Sequence, residues 1–459
     1  MQRLAIIGVL SACLLGGAPF AAMADEKTEK ALEERIKKLE KMVEVLTKHE
    51  AKEAKEEGKE KEKAAKAGEK PLSVGTTGSG KLIYAKPFVS APKATVGGYM
   101  DFEANFLTDQ QLTRSRATNF DQARFIPFIY GDVTDRIKVA AEIEFEHGGK
   151  DNPKAEGEIK IEFATMDYLI TEPLNFRAGL LLMPVGKFNL LHDSPLNDLT
   201  DRPLVSRLII PSTWTEAGAG IYGTLYPGRV SKLDYELYAF NGFAREAAAT
   251  TIGVGDGLRK ARGFQKTDNN NNKGVVGRVA FSPFLGVEVA GSAAHSAYDP
   301  NADKSLAIWA IDWTLQKGPF EVIGESAWAR IEDNFSGATI GPAGMRGYYI
   351  QGNYHFLPDF LKKWAPTHFS DASTFTAVVR WDSVDTDTDN RTLTATGGNT
   401  RELQRLTLGL NFRPIEDTVF KFDYQFNSQL NTNNASTSVA GESVRIDGNG
   451  FLFSVATYF

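Results

Sequence analysis

The sequence predicts an all-β protein: a 16-stranded antiparallel transmembrane β-barrel with an N-terminal periplasmic coiled-coil helix. Three observations carry that prediction. First, the chain ends in a strand of period two. Phe451, Phe453, Val455 and Phe459 share one parity, with Thr457 their only polar member, and Ser454, Ala456 and Tyr458 fall on the other with Leu452. One apolar side and one smaller or more polar side suit lipid on one face and a wet lumen on the other. Second, mean hydropathy lies below zero, and past the N-terminal segment no stretch approaches the ~20 apolar residues of a transmembrane helix. A chain this polar spans a bilayer only through alternating strands. Third, such segments recur from residue 94 to the end, separated by alternately short and long intervals.

The elements follow in order. Met1-Gln2-Arg3 is basic, residues 4–22 are apolar, and Ala22-Met23-Ala24 precedes Asp25 as a cleavage site, so 1–24 reads as a secretory signal peptide. A rival reading takes Leu10-Ser11-Ala12-Cys13 as a lipobox that would leave Cys13 acylated. Cys13 is the only cysteine, so after cleavage at Ala24 there is no disulfide framework, thiolate metal site or cysteine nucleophile. Residues 25–48 carry the heptad Leu32, Ile36, Leu39, Val43, Leu46, a short coiled-coil seam; the alternative is an amphipathic helix packed on its own domain. β-branched a positions with Leu at d lean towards dimers, although a trimeric barrel could impose its own number. Residues 49–93 are a Lys/Glu/Ala spacer and a Gly/Pro/Ser linker, and 94–459 is the barrel.

Strands are expected near 94–106, 120–131, 136–147, 157–169, 174–184, 215–226, 231–243, 273–282, 285–297, 305–316, 319–331, 345–356, 373–383, 402–412, 417–428 and 449–459. The number is even, as closure with both ends in the periplasm requires. Thr134-Asp135, Glu172-Pro173, Pro227-Gly228, Pro283-Phe284, Gly318-Pro319 and Pro414-Ile415-Glu416 mark short turns; 244–272, 384–401 and 429–448 are long polar outer loops. Residues 357–372 break the rule, as a small helix or as two merged strands. A last strand ending in Phe resembles the closing strand of bacterial outer-membrane barrels, which the assembly machinery reads.

Parity assigns faces. Ile137, Val139, Ala141, Ile143 and Phe145 face lipid, as do Leu406, Leu408, Leu410 and Phe412, and Phe420, Phe422, Tyr424 and Phe426. Inward basic candidates are Arg124, Arg177, Arg278, Arg380, Arg405 and Lys421; inward acids are Asp101, Glu103, Glu142, Glu144, Glu146, Glu158, Glu162, Asp234 and Glu236. A charged lumen is wet, and sixteen strands leave an aqueous channel rather than a packed core. The acids gather on the early strands and most bases on the later ones, which would place a transverse field across the pore and favour small polar solutes with weak ion selectivity.

The loop 185–214 is exceptional among the outer loops. It is rich in apolar residues such as Phe188, Leu199, Leu204, Leu208 and Ile209, which a segment folded into the barrel needs and one in water does not. Ala178-Gly179-Leu180-Leu181-Leu182-Met183-Pro184-Val185-Gly186, with Ile209-Ile210-Pro211-Ser212-Thr213-Trp214-Thr215-Glu216-Ala217-Gly218-Ala219-Gly220, resembles the signature stretch of the phosphate-selective porin O and P family. That resemblance implies a trimeric, anion-preferring diffusion channel narrowed by this loop. The expected constriction residues are Lys187, His192, Asp193, Asp198, Asp201, Arg202 and Arg207, with Lys187, Arg202 and Arg207 touching solute. The partners implied are small hydrophilic solutes or inorganic anions, outer-membrane lipid and two further copies of the chain; periplasmic or cell-wall contact would run through the coiled coil. The formal charge of −6 argues against nucleic acid. A structural or adhesive outer-membrane barrel anchored through its coiled coil shares every barrel feature.

Three patterns fail as catalytic, cofactor or metal sites. Gly75-Thr76-Thr77-Gly78-Ser79-Gly80-Lys81 is followed by Leu82 where a phosphate-binding loop needs Ser or Thr on magnesium. His192-Asp193-Ser194 are adjacent, so they cannot converge as a triad. Asp385, Asp387 and Asp389 begin a calcium-like pattern that Asn390 and Thr396 break. No catalytic residue, cofactor or metal is expected.

Overall fold

The computed structural model describes residues 93–107, 119–149, 157–244, 252, 257–263, 268–336, 339–389, 402–430 and 449–459. The expected signal peptide, coiled coil and spacer lie outside these residues.

Sixteen strands close into one antiparallel barrel. They are β1 (Lys93–Leu107), β2 (Asn119–Asp132), β3 (Ile137–Glu146), β4 (Ile159–Thr171), β5 (Leu174–Leu182), β6 (Thr215–Leu225), β7 (Lys232–Phe240) and β8 (Gly274–Phe284). The second half is β9 (Val287–Ala297), β10 (Ser305–Lys317), β11 (Phe320–Ile331), β12 (Gly344–Phe356), β13 (Thr374–Asp385), β14 (Glu402–Ile415), β15 (Thr418–Leu430) and β16 (Gly450–Tyr458). Each sits within a few residues of its expected place, because the period-two pattern and the turn residues specify register together.

Closure joins β1 to β16 in register from Tyr99↔Tyr458 to Leu107↔Gly450. The final residue extends the seam: Gly98 and Phe459 exchange backbone hydrogen bonds of 3.1 and 2.9 Å. A Cβ on Gly98 would lie 2.7 Å from the Phe459 ring, so glycine is what lets that ring lie across β1. The ring stacks on Phe125 at 5.7 Å.

The outer surface is the apolar parity. Phe420, Phe422 and Phe426, Leu408 and Leu410, and Val139 are exposed on it, while Lys421, Asp423, Gln425 and Arg405 of the other parity are buried inside. No helix among the described residues is long and apolar enough to cross a membrane. The apolar outside of a closed barrel is therefore the surface that meets lipid, and every strand edge is paired, as hydrocarbon requires.

Short connections gather at one rim. Thr134 Oγ1 accepts from the Arg136 and Ile137 amides at 3.2 and 3.0 Å, fixing the β2–β3 turn. Two turns fall later than expected. Pro283 and Pro414 belong to strand ends whose register shifts, Phe281/Phe284 and Phe412/Ile415, and the chain reverses at Leu285-Gly286 and Glu416-Asp417. A bulge tolerates the missing amide, so proline there marked a strand end rather than the turn itself. The long interval between β12 and β13 holds a short helix, α2 (Asp359–Trp364), which resolves the helix-or-strands alternative.

The interior departs from the expectation of a uniformly charged, wet lumen. An apolar core fills part of it, built from inward residues of β5 and β7–β14, among them Leu181, Tyr238, Val276, Ile308, Ala327, Met345, Val384 and Leu403. Its other half comes from two inter-strand segments described next.

Candidate functional site

The segment between β5 and β6 contains α1 (Leu204–Leu208) and lies inside the barrel. Val185, Leu204, Val205, Leu208, Ile209, Ile210 and Trp214 enter the interior core. Their burial removes apolar surface that would otherwise meet water, at roughly 25 cal/mol per Å². Polar groups then tie the segment to strands far around the ring. The Leu204 amide donates to Asp382 on β13 at 3.0 Å, the Thr200 amide to Asp423 on β15 at 2.6 Å, and Lys421 donates to the Ser194 carbonyl at 2.7 Å. A connection leaving β5 reaches those inward side chains only by crossing the lumen.

Most of the expected constriction residues make these ties. Lys187 donates to Glu288 on β9 at 3.0 Å and to Thr314 on β10 at 2.9 Å. His192 is buried, bonded to Glu162 on β4 and to the Asn189 carbonyl. Asp193 accepts from the Tyr458 hydroxyl at 2.8 Å, beside the closing seam. Asp198 accepts from Asn353 at 2.8 Å and Asn411 at 3.1 Å and lies 3.5 Å from Arg413. Asp201 pairs with Arg405 at 3.0 Å and Gln425 at 2.8 Å. Parity places Asn411, Asp423 and Gln425 in the lumen and could have signalled Asn353 as well; their partners belong to a loop whose conformation no periodicity encodes.

The lumen charges also occur in pairs. Arg278 meets Asp312, Arg380 meets Asp382 at 2.9 Å, and Arg177 bonds Asp167 at 2.7 and 2.8 Å while lying 4.5 Å over the Tyr222 ring. Arg124 faces Asp101, Glu103, Glu144 and Glu146 at 3.4–3.7 Å. Lys160 reaches Glu144 at 2.6 Å. Glu142 is buried beside them with no ion pair among the described residues. Each buried charge needs such partners, since an isolated one is far too costly to desolvate.

A second inward segment was not anticipated. Residues 244–272 were expected as a polar outer loop after a strand ending at 243, yet Phe243, Ile252, Leu258 and Ala261 join the interior core. Asn334 clamps Ile252, accepting its amide and donating to its carbonyl, both at 2.8 Å. Buried Glu216 holds the Gly263 amide and the Trp214 indole. Gly257 (φ +55°) has no room for a side chain, because a Cβ would lie 1.9 Å from the Leu208 carbonyl oxygen. The 3₁₀ turn Gly257–Ala261 is thereby laid directly on α1.

The two segments bring Arg202, Arg207, Arg259 and Arg262 near one another, two of them on Thr213. Arg202 donates to its hydroxyl at 3.3 Å and Arg262 to its carbonyl at 2.9 Å. Arg262 also donates to the Arg259 carbonyl at 3.1 Å. Arg207 lies on α1, next to the Leu208 carbonyl that the 3₁₀ turn packs against. Among the described residues none of the four has a carboxylate within salt-bridge distance. Partial enclosure by protein, then the positive charges of Arg262, Arg207 and Arg202, pull the Arg259 guanidinium below its usual range. Its side chain remains open to water. Arg259 and Arg262 escaped sequence reasoning because nothing in their own segment marked it as inward-folding.

No family model matches the chain. An uncharacterized protein of Aquifex aeolicus (strain VF5) is 28% identical over 282 residues, which are 58% of this chain and 62% of that protein, so the chain spans less than two thirds of that relative. The anion-selective porin from Comamonas acidovorans aligns at TM-score 0.49 with 12% identity, over 80% of this chain and 100% of that one. The outer membrane channel DcaP of Acinetobacter baumannii aligns at TM-score 0.48 with 10% identity, over 80% and 97%. Salmonella typhi OmpF in complex with daunomycin gives the same TM-score of 0.48, with 10% identity over 80% and 97%.

Proposed function

We propose that this chain is an outer-membrane porin of a Gram-negative-type bacterium, passing small hydrophilic solutes by passive diffusion with a preference for anions such as phosphate. The single observation that carries the anion preference is the arginine cluster: Arg202, Arg207, Arg259 and Arg262 converge without carboxylate partners among the described residues. Wall arginines already bonded to carboxylates have little to offer a passing ion. Guanidiniums held only by hydroxyl and carbonyl oxygens keep their charge and further forked donors for an anion whose hydration shell they replace. Segment 185–214 sets the constriction by occupying lumen that sixteen strands would leave open. Asp193, Asp198, Asp201, Lys187 and His192 hold it in place, and the arginines face the solute. Solute moves down its gradient with no chemical step, held weakly enough to leave. The short-turn rim lies in the periplasm, and the heptad of residues 25–48 joins three copies there.

Planar-bilayer recording in a salt gradient tests this. Discrete steps with a chloride-directed reversal potential are expected; a potassium-directed one overturns the anion preference. A plugged structural barrel is the second reading, favoured by the near-complete burial of Asp101, Glu144, Arg405 and Lys421 beneath the inward segment. Absence of any conductance would establish that reading instead.

A further inference from the structure

The connection between β12 and β13 sets itself apart from every other at its rim. The others hold two to six residues and no helix; this one carries α2, and the helix displays its aromatic residues outwards. Phe360 and Trp364 are 66% and 78% exposed. Spaced by four, they share one helix face. Neither supports the fold of the connection, which is closed by other groups. His368 and Phe369 amides donate to the Ala365 carbonyl at 3.0 Å, Lys362 bonds Asp371 at 2.7 Å, and Ser373 donates to the Pro414 carbonyl at 2.9 Å.

The base of the connection shows which way it leans. Phe369 packs on Phe412 at 5.4 Å and on Phe375 at 6.1 Å. Phe412 has the parity of Leu408 and Leu410, which is the lipid-facing side. The chain after α2 thus lies on the outside of the wall rather than over the lumen. From Phe375 an unbroken row of rings runs along the same rim, through Phe356 at 5.8 Å and Tyr354 to Phe320, and on its other side through Phe412 to Phe420. Aromatic rings in that position mark the level of the headgroups on a membrane-spanning barrel. The chain leaving α2 enters this row at Phe369, five residues after Trp364. Lys363 on the helix is exposed and has no partner among the described residues.

We infer that α2 is a lipid anchor: Phe360 and Trp364 enter the headgroup region of the adjoining phospholipid leaflet, while Lys363 meets lipid phosphate. The occupant is a phospholipid surface, since the connection that exposes these rings is fastened through Phe369 to the belt that meets lipid, and Lys363 beside them is a free cation. This inference rests on the membrane-spanning barrel and is independent of conduction.

Trp364 supplies its own reporter. The full chain is reconstituted in vesicles of phosphatidylethanolamine and phosphatidylglycerol, with acyl chains either unmodified or brominated near the headgroup. Emission of the Trp364→Phe variant is subtracted to isolate Trp364 from the other tryptophans. The difference emission is expected to be blue-shifted, mostly lost in brominated vesicles and insensitive to aqueous acrylamide. Emission unaffected by bromine but quenched by acrylamide places the face in water and overturns the inference. Protection from both quenchers, lost on deleting residues 25–92, overturns it in favour of the chain's own N-terminal segment. Should Trp364→Phe fail to assemble, Phe360→Trp adds an indole to the same face and must gain the same bromine-quenched emission. A barrel that conducts while failing this test refutes the anchor alone.

Discussion

Glu325 is the residue on which the inward segment depends most directly. Its carboxylate on β11 is fully buried and accepts from both parts of the segment: the Phe188 amide and the Ser206 hydroxyl, each at 3.1 Å. A hydrogen bond contributes about 0.5–1.5 kcal/mol to a neutral acceptor and about 1.5–3 to a charged one. Glu325→Ala removes two, and therefore lowers the docking free energy of the segment by about 1–6 kcal/mol, or ~5- to 10⁴-fold in its undocked population. Glu325→Gln keeps one good acceptor and loses about half of that. Both changes sit beneath the segment and leave the β11 backbone ladder intact, so the barrel still forms. The assay is limited trypsin digestion of the folded protein, reading cleavage after Lys187 and Arg207, beside single-channel recording. Cleavage accelerates and the open current becomes larger and noisier, in the order wild type, Gln, Ala. If Glu325→Ala keeps wild-type protease resistance and current, the carboxylate does not hold the segment and the docking argument is wrong.

Other substitutions probe separate contacts. Gly186→Ala meets a φ of +70° and places a Cβ 2.4 Å from Glu325 Oε2, so it should also release the segment, seen as increased current noise. The pair Arg207→Glu and Arg259→Glu should move the reversal potential towards the cation, more at ~0.1 M salt than at ~1 M because the Debye length falls from about 10 to 3 Å. Asn334→Ala removes the clamp on Ile252, at about 1 kcal/mol per neutral hydrogen bond, and should speed cleavage after Arg259 and Arg262. Phe459→Ala loses the stacking on Phe125, about 0.5–1.5 kcal/mol, and should slow closure of the barrel, read as the unfolded fraction by heat-modifiable gel mobility.

What was legible in the chain was whatever repeats along a strand. The alternation of Phe420, Lys421, Phe422 and Asp423 announces element, register and face at once, because lipid and lumen impose opposite chemistry at a spacing of two. Loop conformation has no such code. The apolar content of 185–214 identified an inward segment, whereas Phe243, Ile252, Leu258 and Ala261, which pack in the core, lie in a stretch whose polar composition gave no such signal. Parity also misled in one half of the lumen. Val276, Ile308, Met345 and Leu403 point inward yet are apolar, since they pack against these segments rather than water. Lys187 reads as a solute contact and Asp198 as a constriction residue, and a charge on an inward loop looks the same in sequence whether it meets solute or wall. The arginines around Thr213 emerge only when both segments are placed.

Accessibility of that cluster to the permeating path tests the central claim most directly. Cys13 is the only cysteine, so in a Cys13→Ala background Arg207→Cys and Arg259→Cys each carry one reactive thiol. Sulfonate-bearing methanethiosulfonate is added while single channels are recorded. The arrangement predicts a stepwise, irreversible fall in current at both positions, with the anionic reagent reacting faster than its cationic analogue. Full modification by mass with the current unchanged would place these residues off the conducting path and contradict the account.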